Sequence, residues 1–111
     1  MVAINDKIAD GTDVSWLWDV DFEYLAAAGP KPLTLIASGL RACDMAVRFK
    51  YAGFEADRIS VIENTEKALT AALEKTAPGG ELFILPSYTA MLEIRKHLNE
   101  MGLAQPYWEG K

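Results

Sequence analysis

The sequence predicts an α/β domain: a three-layer sandwich in which a mostly parallel sheet of about four to five strands carries helices on both faces. Three observations predict it. Largely apolar runs at residues 33–37 (LTLIA) and 82–85 (LFIL) have strand length and lack the alternation of a sheet with one wet face. Between such runs lie segments of helix length whose apolar residues recur at three- and four-residue spacing. Glycine, proline or asparagine punctuates each change of period.

Residues 2–4 begin a short strand leading into Asn5-Asp6, and residues 9–13 (ADGTD) read as turns. The first central strand is expected at 15–18, on the apolar Trp16-Leu17-Trp18. Residues 21–28 permit a helix, and 29–32 (GPKP) break the chain. A strand over 33–37 turns at Ser38-Gly39 into a helix over about 41–51, where Ala42, Met45, Ala46 and Phe49 share a face and Gly53 is the stop. A strand over 58–62 follows, and Asn64-Thr65 cap a helix to about Lys75 with Leu69, Ala72 and Leu73 inward. Residues 77–80 (APGG) turn into a buried strand over 81–85. Pro86-Ser87 then open a last helix with Met91, Ile94, Leu98 and Met101 as its stripe and Gly102 at its end. Right-handed crossovers bring the C-terminal ends of parallel strands to one edge, which makes the arrangement Rossmann-like. That edge is expected to gather Asp19, residues 38–41, Glu63-Asn64 and residues 86–88, where open α/β sheets bind ligands.

At 111 residues the chain is a single domain, 1–111, able to bury about two thirds of its unfolded surface. No apolar run approaches the length that spans a bilayer, so no transmembrane segment is expected, and the N-terminus lacks the pattern of a secretion signal. A single cysteine, Cys43, excludes an internal disulfide and suits a reducing cytoplasm. One histidine and one cysteine cannot build a His/Cys zinc site, and no metal site is expected. The net charge of −5 argues against a nucleic-acid surface. Asp6, Asp10, Asp13, Asp19, Asp21 and Glu23 crowd the first 23 residues against Lys7 alone, as a solvated face or a docking surface for a basic partner patch.

Residues 13–23 (DVSWLWDVDFE) are the most informative stretch. An acid directly after a short apolar run can stand at the C-terminal lip of a buried strand as a functional carboxylate. Equally, Trp16 and Trp18 can cover one end of the core while Asp19 caps a following helix.

Taken together, residues 4–11 (INDKIADG), 13–23, 38–53 (SGLRACDMAVRFKYAG) and 85–92 (LPSYTAML) resemble the C-terminal domain of the MurT type. MurT is the Mur-ligase-like subunit of lipid II isoglutaminyl synthase. The likeness runs from about residue 4 to Trp108, and its specific parts are the tryptophan-acid and Ser-Gly-Leu-Arg segments. The resemblance implies that this is the third domain of a longer chain, whose ATP-binding central domain lies outside the sequence. No cofactor is then expected on this domain alone; ATP and Mg belong to the complete ligase subunit. The implied partners are a class I-like glutamine amidotransferase subunit, the central Mur-ligase domain and lipid II as substrate. The implied reaction is amidation of the D-glutamate of lipid II to D-isoglutamine in cytoplasmic peptidoglycan synthesis.

By the same resemblance, Asp19 completes the Cys–His triad of the amidotransferase, with Asp13 or Asp21 as the other candidates. A triad acid holds the histidine tautomer and stabilises imidazolium while the thiolate attacks the glutamine amide. Trp16, Trp18, Asp21 and Glu23 would form the partner interface. Analogy with Mur ligases turns the edge at Ser38, Gly39 and Arg41 toward substrate or phosphate, where backbone N–H groups and Arg41 could hold an anion. Alternatively the domain is a non-catalytic docking module. A further alternative reads Asp19-Val20-Asp21 as the pair of an aspartate-nucleophile phosphatase, although Phe22-Glu23 depart from that pattern. Arg48, Lys50 and Tyr51 read as solvated or dipole-facing groups, His97 as an exposed bystander and Cys43 as a small packing or helix-face residue. Tyr107-Trp108 would anchor an interface or tie down the tail.

Overall fold

The computed structural model describes residues 1–29 and 33–103. Its sheet has four strands, all parallel: β1 (Val2–Ala3), β2 (Leu35–Ser38), β3 (Ile59–Val61) and β4 (Leu85–Pro86), in the order β3-β2-β1-β4. Val2 pairs with Ala37 on one side and Leu85 on the other, and Leu35 pairs with Ile59. The helices are α1 (Phe22–Ala28), α2 (Ala42–Ala52), α3 (Thr65–Lys75) and α4 (Tyr88–Glu100), with 3-10 turns at Ile8–Asp10, Ser15–Trp18 and Ala56–Arg58.

Strand periodicity divides the core into two. Val2, Ile4, Leu35 and Ala37 point to the face covered by α1 and α2, where they meet Leu17, Phe22, Met45 and Phe49. The alternate residues Met1, Ala3 and Ile36 point to the face covered by α3 and α4, against Leu69, Ala72, Ala90 and Ile94. Phe49 stands edge-on to both Phe22 and Phe54 at 5.6 Å, pairs worth about 0.5–1.5 kcal/mol each beyond burial. The three-layer α/β sandwich expected from sequence is therefore the fold.

Local signals set the helix ends. Asp21 and Asn64 accept from Tyr24 N and Lys67 N as N-caps, and Gly53 closes α2 at φ +111°. Two expected strands are corrected. Residues 15–18 form a 3-10 turn that joins no strand, and its only buried residue is Leu17. Three apolar residues with no partner strand bury one side chain more cheaply in a turn against α2. The strand expected at 81–85 is not buried: Phe83 is 65% exposed, Leu85 is 57% exposed, and only Leu85–Pro86 pairs, at the sheet edge.

Chain order reverses between β1 and β4, the switch point where sheets of this class open a ligand crevice. Here side chains fill it. Asn5, buried, donates its backbone N–H to Ser87 Oγ and its Nδ2 to Thr89 Oγ1, both at 2.9 Å, while its Oδ1 accepts from Leu40 N. Asp10 accepts from both Thr89 N and Thr89 Oγ1 at 2.6 Å. A cavity of about 570 Å³ lies at the opposite edge, walled mostly by apolar groups such as Leu25, Leu33, Leu82 and Phe83, and touches none of the sequence-derived site residues.

Candidate functional site

Arg48 organises the acidic segment. It projects from α2 and is only 2% exposed, so its charge needs partners throughout. Its Nε donates to Leu17 O at 2.7 Å and Nη2 to Val20 O at 2.6 Å. Nη1 and Nη2 grip the two oxygens of Glu23 at 2.8 Å each, a bidentate pair. The guanidinium also lies 5.1 Å from the Trp18 ring and 5.3 Å from the Phe22 ring. One side chain thus ties residues 17–23 to α2. Its hydrogen bonds hold the Glu23 carboxyl at a pKa of about 2, and Glu23 in turn raises that of Arg48. The solvated Arg48 expected from sequence is corrected, because its acceptors come from a segment distant in the chain.

The acids of this region divide by what they already bind. Asp13 accepts from Ser15 N at 2.9 Å, which lowers its pKa. Asp21 caps α1 through Tyr24 N, and Glu23 is committed to Arg48. For Asp10, burial raises the pKa, but the hydrogen bonds from Thr89, Lys7 and Ser87 outweigh it and the net shift is downward. Asp19 differs. It is exposed and ends the 3-10 turn, its N–H donating to Trp16 O at 2.9 Å. Among the described residues its carboxylate enters no hydrogen bond or ion pair. Since 15–18 is a turn, Asp19 does not stand on the lip of a strand as expected. That removes the strand-end placement a phosphatase nucleophile needs, and Asp21, as a cap, is not a free proton donor.

Around Asp19 the surface is aromatic. Trp16 is 42% and Trp18 51% exposed, and Trp18 meets exposed Tyr51 edge-on at 5.6 Å. Val20 and Tyr24 are exposed as well. Of the four residues expected at an interface, Trp16 and Trp18 expose aromatic surface, while Asp21 and Glu23 bond Tyr24 N and Arg48.

The Ser38–Gly39–Arg41 edge is built differently from expectation. Ser38 is fully buried, its Oγ donating to Glu63 O at 3.2 Å. The N–H groups of residues 39–42 donate in turn to Glu63 O, Asn5 Oδ1, Ile4 O and Gly39 O. The turn therefore has none of these four left for an anion. Arg41 lies 3.4 Å from Asp6 and 2.9 Å from Asp44. Gly39 is required: at φ +89° a Cβ would stand 2.5 Å from Ile4 O.

His97 is also corrected. It is largely covered, with Nδ1 at 3.2 Å from Glu66 and 3.5 Å from Glu100. Glu66, thirty-one residues earlier in the chain, carried no sequence signal of this meeting. Cys43 is exposed on the face of α2, the second of the two placements expected for it. Tyr107-Trp108 lie outside the described residues, and no described helix is long and apolar enough to cross a membrane.

A family model described as MurT ligase C-terminal matches residues 1–91. The chain is 35% identical over 97 residues to "Lipid II isoglutaminyl synthase (glutamine-hydrolyzing) subunit MurT" of Streptococcus pneumoniae, which covers 87% of this chain and 21% of that protein. It is 32% identical over 100 residues to the subunit of the same name in Staphylococcus aureus, covering 89% and 21%. The chain spans about a fifth of the length of the curated relatives it matches.

Proposed function

The chain belongs to the MurT ligase C-terminal family, and from that premise we propose that it is the C-terminal domain of the ligase subunit of a glutamine- and ATP-dependent amidating complex. The complex converts the D-glutamate of lipid II to D-isoglutamine. ATP, handled by a central domain outside this sequence, activates the carboxylate, and ammonia from a glutaminase partner displaces phosphate. Asp19 completes that partner's Cys–His pair as the third member of the triad.

The observation that carries this role is the contrast among the acids. Asp10, Asp13, Asp21 and Glu23 are each spent on a hydrogen bond, whereas the exposed Asp19 carboxylate has no partner among the described residues. It sits on a segment braced by buried Arg48, so it is held in place without being neutralised. A triad acid needs that combination: anionic, positioned and reachable from the neighbouring subunit. Trp16, Trp18 and Tyr51 supply amphipathic surface for docking around it.

The same aromatic surface supports a second reading, in which the domain only docks the amidotransferase and the partner's triad is complete in itself. Asp19→Asn separates the two. Glutaminase activity of the reconstituted two-subunit complex should fall by about two orders of magnitude or more, with the complex intact on gel filtration. Near-normal turnover would defeat the triad role and leave docking.

A further inference from the structure

We propose that Glu66, His97 and Glu100 form a divalent-metal site of the zinc type, joining the first turn of α3 to the end of α4. This site is independent of the amidating role. His97 and Glu100 are three residues apart on α4 and so share a face, and Glu66 meets them from α3. One ligand atom from each residue lies within 4.8 Å of the other two. The distances from His97 Nδ1 are 3.2 Å to Glu66 Oε2 and 3.5 Å to Glu100 Oε1. Ligands at about 2.0–2.1 Å from a tetrahedral zinc ion stand roughly 3.3–3.4 Å apart. Two edges of the required figure are therefore already formed. The third closes by rotation of carboxylates that are more than half exposed.

The histidine ring stands between Thr65 on one side and the two carboxylates on the other. Thr65 Oγ1 donates to Glu93 Oε1 at 3.1 Å and lies 3.5 Å from His97 Nε2. Nδ1, on the other side of the ring, faces the two carboxylates. Nδ1 is fully covered yet has no hydrogen-bond partner of good geometry among the described residues. Two carboxylates converging on one covered ring nitrogen gather three donor atoms around a point that a divalent cation can occupy. The Thr65–Glu93 pair supplies the outer support usual behind a metal-bound histidine, and a water molecule would complete the coordination.

The probe is Zn²⁺ itself, titrated calorimetrically into the 111-residue protein near neutral pH. A Cys43→Ser background is used because that exposed thiol could bind zinc by itself. One equivalent should bind with a dissociation constant in the micromolar range. Binding should weaken at least tenfold in His97→Ala and in Glu100→Gln, whose side chain is exposed enough to leave folding intact. Zinc should raise Tm in the parent and not in either variant. Zinc binding equal in the parent and both variants, or no binding at all, would overturn the site.

Discussion

Replacing Arg48 with methionine tests the bracing of the acidic segment. Methionine keeps the apolar stem but removes every donor, so Leu17 O and Val20 O lose their partners together with both oxygens of Glu23. Glu23 is more than half exposed and would be rehydrated, so its release leaves no buried charge. The carbonyls are the larger loss. Leu17 is 1% exposed, so its carbonyl would be orphaned beneath the turn at a cost of about 1–3 kcal/mol. Val20, partly exposed, can recruit water. With the cation–π contacts to Trp18 and Phe22 added, the net loss is about 2–3 kcal/mol. At about 2.1 cal/mol/K of unfolding entropy per residue, that lowers Tm by roughly 9–13 °C, measurable by calorimetry. Arg48→Lys, which keeps the charge but reaches fewer acceptors, should fall between. A Tm within about 2 °C of wild type in Arg48→Met would refute the view that this side chain holds residues 17–23 to α2.

Acid should unfold the domain partly through the same pair. Glu23 has its pKa lowered from 4.5 to about 2, so its contribution is fully present above pH 4.5 and is lost as pH falls toward 2. Asp10 and Asp13 shift in the same direction, and Tm should therefore drop through this window, less steeply in Glu23→Gln. Parallel Tm-against-pH curves for wild type and Glu23→Gln would exclude the pair as a source of acid sensitivity. Gly39→Ala should cost about 3 kcal/mol or more, since both the positive φ and the Ile4 backbone oppose a Cβ. An unchanged urea midpoint there would mean that the turn can rearrange.

What the chain determined by itself was local. The period of Ala42, Met45 and Phe49, the cap Asn64 and the stop at Gly53 made α2 and α3 legible to within a residue or two, because helix signals act over one or two turns, while the cap of α1 proved to be Asp21 and not Asp19. The apolar 33–37 and the segment 58–62 were legible as strands for a similar reason, and alternating elements then implied a parallel sheet. The family, too, was readable from contiguous segments. What tertiary structure alone decided were meetings between distant residues. Whether Trp16-Leu17-Trp18 became a strand depended on a partner strand that β1, at Val2–Ala3, had already taken. Arg48 looked like an ordinary charged residue near a helix end until α1 and the turn before it brought acceptors from 25 to 31 positions away. The same holds for Asn5 in the switch-point crevice and for His97 between two glutamates. A buried polar group is defined by what surrounds it, and those surroundings exist only once the sheet has joined segments far apart in the chain.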